Sequence, residues 1–281
     1  MNENEFEINI TPEDSQQDLS LAELWRYRDL VVLMVRRDFV ANYKQTILGP
    51  SWAIIQPIAS TLITSIVFGN LAGMSPNGVP VFLFYMVGQI MWHFFQACLV
   101  STTDTFLSFQ GVMSKVYFPR FVAPIASASS HFISLLIQIA LFTGFYIYFV
   151  WNGYPVSINW TLALIPIYII HLAAIRLGTG AILSAMTTKY RDLKVLISYG
   201  VTFWMYLSPV VYDVSKVPER FKMLYLLNPV APILRHIRYA VFTQGNVYWE
   251  FYGISIITTI VIVLIGYRIF NHVARNFIDT I

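Results

Sequence analysis

The amino-acid sequence predicts an all-α integral membrane protein with six transmembrane helices, an N-terminal amphipathic interface helix and a re-entrant outer helical hairpin between helices five and six. Of the 281 residues, 57% are hydrophobic and only 12% are charged, which is about half the charged fraction of soluble domains. The apolar residues also form long blocks, and a helix needs about 20 apolar residues to cross a bilayer. Low charge and long apolar blocks together favour a membrane protein.

Two N-terminal segments precede the predicted bilayer region. Residues 1–19 are acidic and contain few large apolar side chains, a composition typical of a disordered tail. Residues 20–48 begin with Ser20, a candidate N-cap, and then interleave arginines with apolar residues at helical spacing. This pattern predicts a cytoplasmic amphipathic helix that lies in the interface with its arginines toward phosphate head groups. A soluble helix that packs on a partner is the alternative.

Residues 49–281 form the predicted transmembrane domain. Its start is marked by Gly49 and Pro50, because proline tends to end the helix before it, and by Trp52, a residue type common at the membrane–water boundary. Small residues in two runs, 123–130 and 178–185, are expected to let helices approach closely. The six predicted spans are about 51–73, 81–103, 121–151, 160–186, 195–211 and 249–267.

The distribution of Lys and Arg predicts the orientation. Most of these residues lie in the amphipathic segment, between spans two and three, between spans four and five, and after span six. The positive-inside rule makes that side cytoplasmic, with both termini inside.

Residues 212–248 are the exception, since five basic residues fall there on the outer side, in a segment that is also rich in apolar residues. Pro218 and Pro232 are placed to open two short helices, and Asn228-Pro229 is placed to separate them. This predicts a re-entrant hairpin whose ends are buried by protein. A hairpin that lies on the membrane surface is the alternative.

Several kinds of chemistry have no signal in the sequence. It contains no Gly-rich phosphate loop followed by Lys-Ser/Thr, no His/Cys cluster with metal-ligand spacing, and no Ser/His/Asp arrangement. We therefore expect no metal, no cofactor and no enzymatic activity in this chain. The single cysteine, Cys98, lies in an apolar block and is expected to be a small buried side chain.

Arg176 is the most informative single residue, because it lies near the middle of the fourth predicted span. A charge at the centre of a bilayer costs at least about 2.5–3.5 kcal/mol, so the side chain needs partners or water. Arg176 either lines a conduit for a polar or anionic substrate or binds carbonyls and polar groups of a neighbouring helix. Aromatic residues of the spans would line the same conduit and stack on sugar rings. The candidates are Tyr85, Trp92, Phe95, Tyr146 and Trp204.

Residues 104–120 and 187–192 are the predicted docking segments for a cytoplasmic partner. The first mixes polar and aromatic side chains, and Tyr117 and Phe118 exposed to water would favour a partner there. Loops that only face solvent are the alternative. The candidate coupling or gate residues are Ser114, Lys115, Tyr117, Phe118, Arg120, Tyr190, Arg191 and Asp192.

A set of motifs in a fixed order carries a family resemblance. They are ELWRYRDL at 23–30, RD at 37–38, YKQTILGPSW at 43–52, KVYFPR at 115–120, YRD at 190–192 and LNP at 227–229. From about residue 20 onward, the chain resembles the permeases of polysaccharide-export ATP-binding-cassette transporters. The motif at 23–30 looks most like that of the O-antigen exporters.

The resemblance implies a set of partners. Six-helix subunits of this kind pair as a homodimer above two copies of a cytoplasmic ATPase, and that partner binds ATP and Mg. The resemblance also implies a coupling or gate helix within 104–120, a re-entrant outer hairpin within 212–248 and a lipid-linked glycan as the substrate. Arg36, Arg37 and Lys44 would then receive the lipid pyrophosphate from the inner leaflet, or else anchor the helix to ordinary anionic lipids.

The sequence thus predicts the channel-forming subunit of an exporter in the bacterial inner membrane. It would move polyprenyl-pyrophosphate-linked polysaccharide to the outer side, with O-antigen as the first candidate, membrane lipids around it and no nucleic acid as a partner. Export of capsule or teichoic-acid polymer, or of a small amphipathic lipid or drug, is an alternative. A membrane enzyme acting on polyprenyl-linked sugars is a further one, but it would need a catalytic pair of acidic residues, and Asp104, Asp192 and Asp213 are isolated in sequence.

Overall fold

The computed structural model describes residues 25–44, 46–74, 78–113, 118–155, 159–190, 192–212, 220, 223 and 227–278. Within these residues all regular structure is helical, and the predicted all-α class is confirmed. Short 3₁₀ turns occur at Gly49–Ser51 and Trp160–Leu164, and a π-helical segment at Ser65–Leu71. The α-helices are α1 (Arg28–Tyr43), α2 (Trp52–Thr64), α3 (Val81–Thr103), α4 (Thr105–Met113), α5 (Val122–Trp151), α6 (Ile165–Lys189), α7 (Leu193–Tyr206), α8 (Val230–Phe242) and α9 (Trp249–Ile278).

Five of the described helical stretches are long and apolar enough to cross a membrane. They are Gly49–Leu71, Val81–Thr103, Val122–Trp151, Trp160–Lys189 and Trp249–Ala274. Each overlaps one of the predicted spans, so a multi-pass membrane protein is confirmed.

The fifth predicted span, 195–211, is not confirmed. Its helix, α7, has 14 residues and is therefore about 21 Å long, whereas the hydrocarbon core is about 30 Å thick. The helix ends at Tyr206, and a turn follows at 207–210. The physical reason is Pro209, because a proline disfavours the helical conformation of the residue before it.

Helix α3 is the centre of the bundle. It packs against α2, α5, α6, α7 and α8 and is buried along most of its length. Its sequence is apolar on every side, which is typical of a helix with neighbours all round. The other spanning helices therefore keep one face for lipid or for another protein.

The closest helix crossing joins α6 to α9. A Cβ atom added to Gly178 would lie 2.9 Å from the backbone of Val263, and one added to Gly266 would collide with the carbonyl oxygen of Gly178. Thr102 of α3 approaches Gly180 in the same way, 2.7 Å from the position of an added Cβ. The predicted role of the small residues at 178–185 in close packing is confirmed.

A second apolar cluster forms the end of the bundle where α1 and α4 pack. Met34 of α1, Phe106 of α4 and Phe270 of α9 are each at most 2% exposed, and the rings of Phe106 and Phe270 stack with centroids 4.4 Å apart. The opposite side of α1 exposes Val32 and Leu33. Helix α1 thus packs one apolar side on the protein and turns another outward. A helix that lies in the membrane interface needs such an outward apolar side.

Helix α8 is the second half of the predicted re-entrant hairpin. Ile233, Leu234 and Ile237 are at most 1% exposed, and the helix packs on α3, α6 and α9. This half is thus embedded in the bundle and does not lie on its surface. Most of residues 213–226, which hold the predicted first half, lie outside the described residues, so the re-entrant path is not confirmed.

Candidate functional site

Arg176 is fully buried in the described chain, with an exposed fraction of 0%. Its Nη1 donates a hydrogen bond to the carbonyl of Phe94 at 2.9 Å, and its Nη2 donates one to the carbonyl of Ala128 at 3.3 Å. Its guanidinium carbon lies 3.5 Å from the centroid of the Phe94 ring. Arg176 therefore ties α6 to α3 and α5.

These contacts correspond to the second of the two interpretations of Arg176, a bond to carbonyls of neighbouring helices. A water-filled conduit at this residue is not supported, because protein groups surround the guanidinium on every side. A charge at this depth requires polar partners, as the sequence predicted. The sequence alone does not show whether those partners are backbone carbonyls or water.

Arg238 of α8 makes a second contact of the same kind. Its guanidinium carbon lies 3.8 Å from the centroid of the Phe84 ring. Its Nη2 donates to the carbonyl of Val210 at 2.7 Å, and its Nη1 donates to that of Pro209. The chain just after α7 is thereby held against α3 and α8. Sequence reasoning counted Arg238 only as a basic residue of the outer segment, although its spacing of four from the apolar Leu234 was a signal that it faces inward.

The aromatic residues predicted to line a channel fall into two groups. Tyr85, Trp92 and Phe95 of α3 are each at most 1% exposed and belong to the core of a single bundle, because α3 has neighbours on all sides. Tyr146 and Trp204 are half-buried. Of the five, only these two present part of a side chain to the outside of the described chain.

Asn228, in the middle of the LNP motif, joins the end of α7 to the start of α8. Its Oδ1 accepts hydrogen bonds from the Trp204 indole and from the backbone N–H of Val230, both at 3.1 Å. Its Nδ2 donates to the carbonyl of Leu207 at 3.1 Å and to Ser208 Oγ at 2.9 Å. The motif was recognised in the sequence, but its structural role was missed, since the partners are about 20 residues away.

The predicted coupling residues are only partly described. Ser114, Lys115, Tyr117 and Arg191 lie outside the described residues. Tyr190 is 53% exposed and Asp192 is exposed, whereas Arg120 is half-buried.

Phe118 corrects one of those predictions. It is 5% exposed and belongs to the same apolar cluster as Met34 and Phe270. The expectation of a water-exposed Phe118 is therefore wrong, because the chain itself covers the ring, and its role in coupling stays a prediction.

An ion pair joins the start of the first predicted docking segment to the first turn of α7, just after the second segment. Asp104, the residue between α3 and α4, accepts from Lys194 in the first turn of α7, with Oδ1 and Nζ 2.6 Å apart. Nearby, Thr187 Oγ1 donates to the carbonyl of Thr103 at 3.2 Å. The ends of α3, α6 and α7 thus form one connected surface. The partner of Asp104 is basic, so this contact does not supply the catalytic pair of acidic residues that a membrane enzyme would need.

The three basic residues predicted at head groups differ in their surroundings. Arg36 and Lys44 are exposed. Arg37 instead binds Asp38 at 2.8 Å, and its guanidinium carbon lies 4.4 Å from the centroid of the Phe109 ring. Arg37 therefore helps to hold α1 on α4.

Comparison with known proteins adds the family. A family model described as "ABC-2 type transporter" matches residues 29–242, about three-quarters of the chain. The chain belongs to the ABC-2 type transporter family. The resemblance inferred from its motifs is confirmed, and the matched residues of this ABC-2 type chain include Arg176, Asn228, Arg238 and the Asp104–Lys194 pair.

Three curated relatives carry the name O-antigen export system permease protein RfbA. One from Klebsiella pneumoniae is 27% identical over 252 residues, and another from the same species is 26% identical over 254 residues. Each of these alignments covers 89% of this chain and 94% of the relative. A third, from Myxococcus xanthus, is 23% identical over 214 residues and covers 75% of this chain and 80% of the relative.

Proposed function

We propose that this chain is the transmembrane permease of an ATP-driven exporter that moves lipid-linked O-antigen across the bacterial inner membrane. The observation that carries the proposal is the near full-length similarity to permeases named for O-antigen export, within a chain that belongs to the ABC-2 type transporter family. The five apolar spanning helices fit a membrane subunit of this kind.

The glycan is proposed to pass between two copies of the chain. Both termini are proposed to be cytoplasmic, which requires a sixth crossing between Lys189 and Trp249 in addition to the five spans. Within one copy, the centre is filled by α3, Arg176 and the aromatic core. Helix α7 supports a second copy, since it exposes Leu196, Tyr199 and Phe203, each about two-thirds exposed, along a helix too short to cross the bilayer. A two-fold homodimer would cover such a face. Trp204, on α7 itself, is the remaining aromatic candidate for contact with the glycan, whereas Tyr146 lines a cavity between α3, α5 and α8.

Two copies of a separate ATPase are proposed to drive transport from the cytoplasmic end. The surface formed by Asp104, Lys194, Tyr190 and Asp192 supports this site, because it joins the ends of three helices and carries exposed polar and aromatic side chains. A push on this surface would reach α3, the helix that contacts most of the bundle. ATP and Mg are assigned to the partner.

The lipid pyrophosphate is proposed to meet the basic face of α1. Arg36 and Lys44 are exposed there, and charge-assisted hydrogen bonds to phosphate are among the stronger polar contacts. Arg37 is assigned to packing instead, because Asp38 and Phe109 already engage it. Ordinary anionic lipid at the same residues is the competing occupant.

Deletion and complementation in the source bacterium test the function. Without the gene, lipopolysaccharide at the cell surface should lack O-antigen, and lipid-linked chains should accumulate on the cytoplasmic face; the native gene should reverse both. A matched strain with the native permease and a partner ATPase disabled for nucleotide binding should resemble the deletion. Normal surface O-antigen in the deletion strain would overturn the proposal. Loss of capsule, of teichoic acid or of drug tolerance in its place would select one of the alternatives.

A further inference from the structure

A cavity of about 370 Å³ opens on the side of the bundle between α3, α5, α8 and the start of α6. Its walls include Val87 and Met91 of α3, Ile139 and Phe142 of α5, and Ile237 of α8. Thr143 and Leu162 are exposed lining residues, and they mark the mouth. The cavity therefore opens between two spanning helices, toward the surroundings of the bundle.

We propose that this cavity binds one acyl chain of a phospholipid from the outer leaflet. The site goes beyond the proposed function, because it requires neither a glycan nor ATP. Its consequence is a fixed lipid wedged between α3, α5 and α8.

The depth of the cavity matches the acyl region of one leaflet. Trp151 at the end of α5 and Trp160 before α6 are 89% and 68% exposed, and exposed tryptophans are typical of the membrane–water boundary. The α5 lining residues run from Ile139 to Tyr146, which places them roughly 8–18 Å along the helix from Trp151. Half of the hydrocarbon core is about 15 Å thick. The cavity thus spans the depth at which an acyl chain of that leaflet lies.

The chemistry of the walls favours hydrocarbon over water. Among the described lining residues only Thr143 and Tyr146 carry polar side-chain atoms, and Thr143 Oγ1 already donates to the carbonyl of Ile139 at 2.9 Å. Apolar cavities of about 150 Å³ stay dry and take up benzene. By the same ratio of volume to carbon atoms, this cavity of about 370 Å³ has room for about fifteen carbon atoms.

The absence of charge in the described walls favours a phospholipid over the polyprenyl-pyrophosphate carrier. No Lys or Arg is among the lining residues that the structure describes, so nothing in them would hold a pyrophosphate close to the mouth. An acyl chain needs no such contact, since its head group stays at the level of Trp151 while its tail enters the cavity. Phospholipid is also the hydrocarbon that surrounds the mouth at all times.

A bulky substitution at the mouth tests the site, with a matched control one turn away. Thr143→Trp should close the opening. Ile147→Trp adds the same ring on the same helix at a residue that is 58% exposed and outside the cavity. The full-length protein is placed in vesicles of phosphatidylethanolamine and phosphatidylglycerol with a diazirine in the acyl chain, irradiated, and mapped by peptide mass spectrometry.

Labelling of the native protein should concentrate on peptides around residues 87–91 and 139–146. Thr143→Trp should abolish that labelling, and Ile147→Trp should leave it at the native level. Equal labelling in both variants, or labelling spread evenly over all lipid-exposed helices, would overturn the proposal. So would selective labelling by a diazirine polyprenyl phosphate, or cross-links to a second copy from a photoreactive amino acid introduced at Thr143. Since no transport is measured, this test can fail while the export function stands.

Discussion

The guanidinium carbon of Arg176 lies 3.5 Å from the centroid of the Phe94 ring, and its Nη1 donates a hydrogen bond to the carbonyl of the same residue. Arg176 of α6 thereby contacts both the backbone and the ring of Phe94 in α3, the central helix. In a site closed to water such contacts are stronger than at a surface. The described partners of this buried charge are carbonyl dipoles and aromatic faces.

Arg176→Leu should reduce stability more than transport. We expect a loss of about 1–2 kcal/mol in the free energy of unfolding, since interhelical hydrogen bonds in membranes average somewhat below 1 kcal/mol each and one cation–π contact is also lost. Export per folded molecule should stay near native. The measurements are thermal unfolding of the purified protein and O-antigen export normalised to the amount of folded permease.

If Arg176 instead lined a conduit, Arg176→Leu would keep native stability and greatly reduce export. That result would reassign the residue to the transport route. Arg28→Leu serves as the control for removal of an arginine as such, because Arg28 is exposed and pairs only loosely with Asp29 at 3.6 Å.

The Asp104–Lys194 pair should matter for coupling more than for folding. Both side chains are over a third exposed, and exposed pairs contribute about 0–1 kcal/mol. Asp104→Asn should leave thermal unfolding near native while ATP-driven export and stimulation of the partner ATPase fall. The exchange Asp104→Lys with Lys194→Asp should recover part of both activities. An exchange no better than the single variants would show that the pair itself is not what couples the segments.

The crossing of α6 and α9 should not tolerate a single methyl group. In Gly266→Ala the added Cβ meets the carbonyl oxygen of Gly178, and overpacking of this kind costs about 1–3 kcal/mol. We expect a lower unfolding temperature and less folded protein in the membrane. Gly253→Ala on the same helix is the matched control, since nothing lies within 4 Å of its added Cβ. Equal behaviour of the two variants would contradict the described crossing.

Asn228→Ala should loosen the end of α7. The variant removes four hydrogen bonds, and at about 0.5–1.5 kcal/mol each the free energy of unfolding should fall by about 2–6 kcal/mol. Hydrogen exchange should rise in the peptide around residues 204–212. Asn152→Ala, which removes one exposed bond to the carbonyl of Tyr148, should change stability by less than about 0.5 kcal/mol. Unaltered exchange at 204–212 would rule out the connecting role.

Arg36 and Arg37 should separate in function although they are neighbours. A basic residue near a lipid surface contributes about 1 kcal/mol, so Arg36→Gln should weaken binding of polyprenyl pyrophosphate about fivefold. Arg37→Gln should chiefly lower thermal stability, because it removes the contacts with Asp38 and Phe109. Binding is measured in nanodiscs of zwitterionic lipid. Native affinity of Arg36→Gln under those conditions would assign the arginine to ordinary anionic lipids.

The five confirmed spans were predictable because each is a long apolar block, and block length is read directly from the chain. For α3 the predicted range, 81–103, has the same bounds as the helix. The predicted span 195–211 was wrong because it extended an apolar run through Ser208 and Pro209. Pro209 was itself a signal that the helix ends before it. For α9 the helix continues to Ile278, well beyond the predicted 267, because a helix need not end where its apolar residues end.

The partners of the buried polar residues were beyond sequence reasoning. Phe94 and Ala128 are 82 and 48 residues from Arg176, and no periodicity connects them. The same holds for Lys194 and Asp104. The burial of Phe118 was not predicted because its segment mixes polar and aromatic residues without a clear period. Its neighbours in space include Met34 and Phe270. The pattern of residues in the sequence indicates which buried polar residues need a partner. The three-dimensional structure is needed to identify that partner.

The contact between Gly178 and Gly266 also bears on how the protein is made. Helix α6 has its closest neighbour in a helix that comprises the last 30 described residues of the chain. During synthesis α6 enters the bilayer before α9. The surface of α6 around Gly178 is then covered by lipid or by an insertase until α9 leaves the ribosome. Translation that stops before residue 249 would yield an orphan bundle, which membrane proteases can distinguish from the finished subunit.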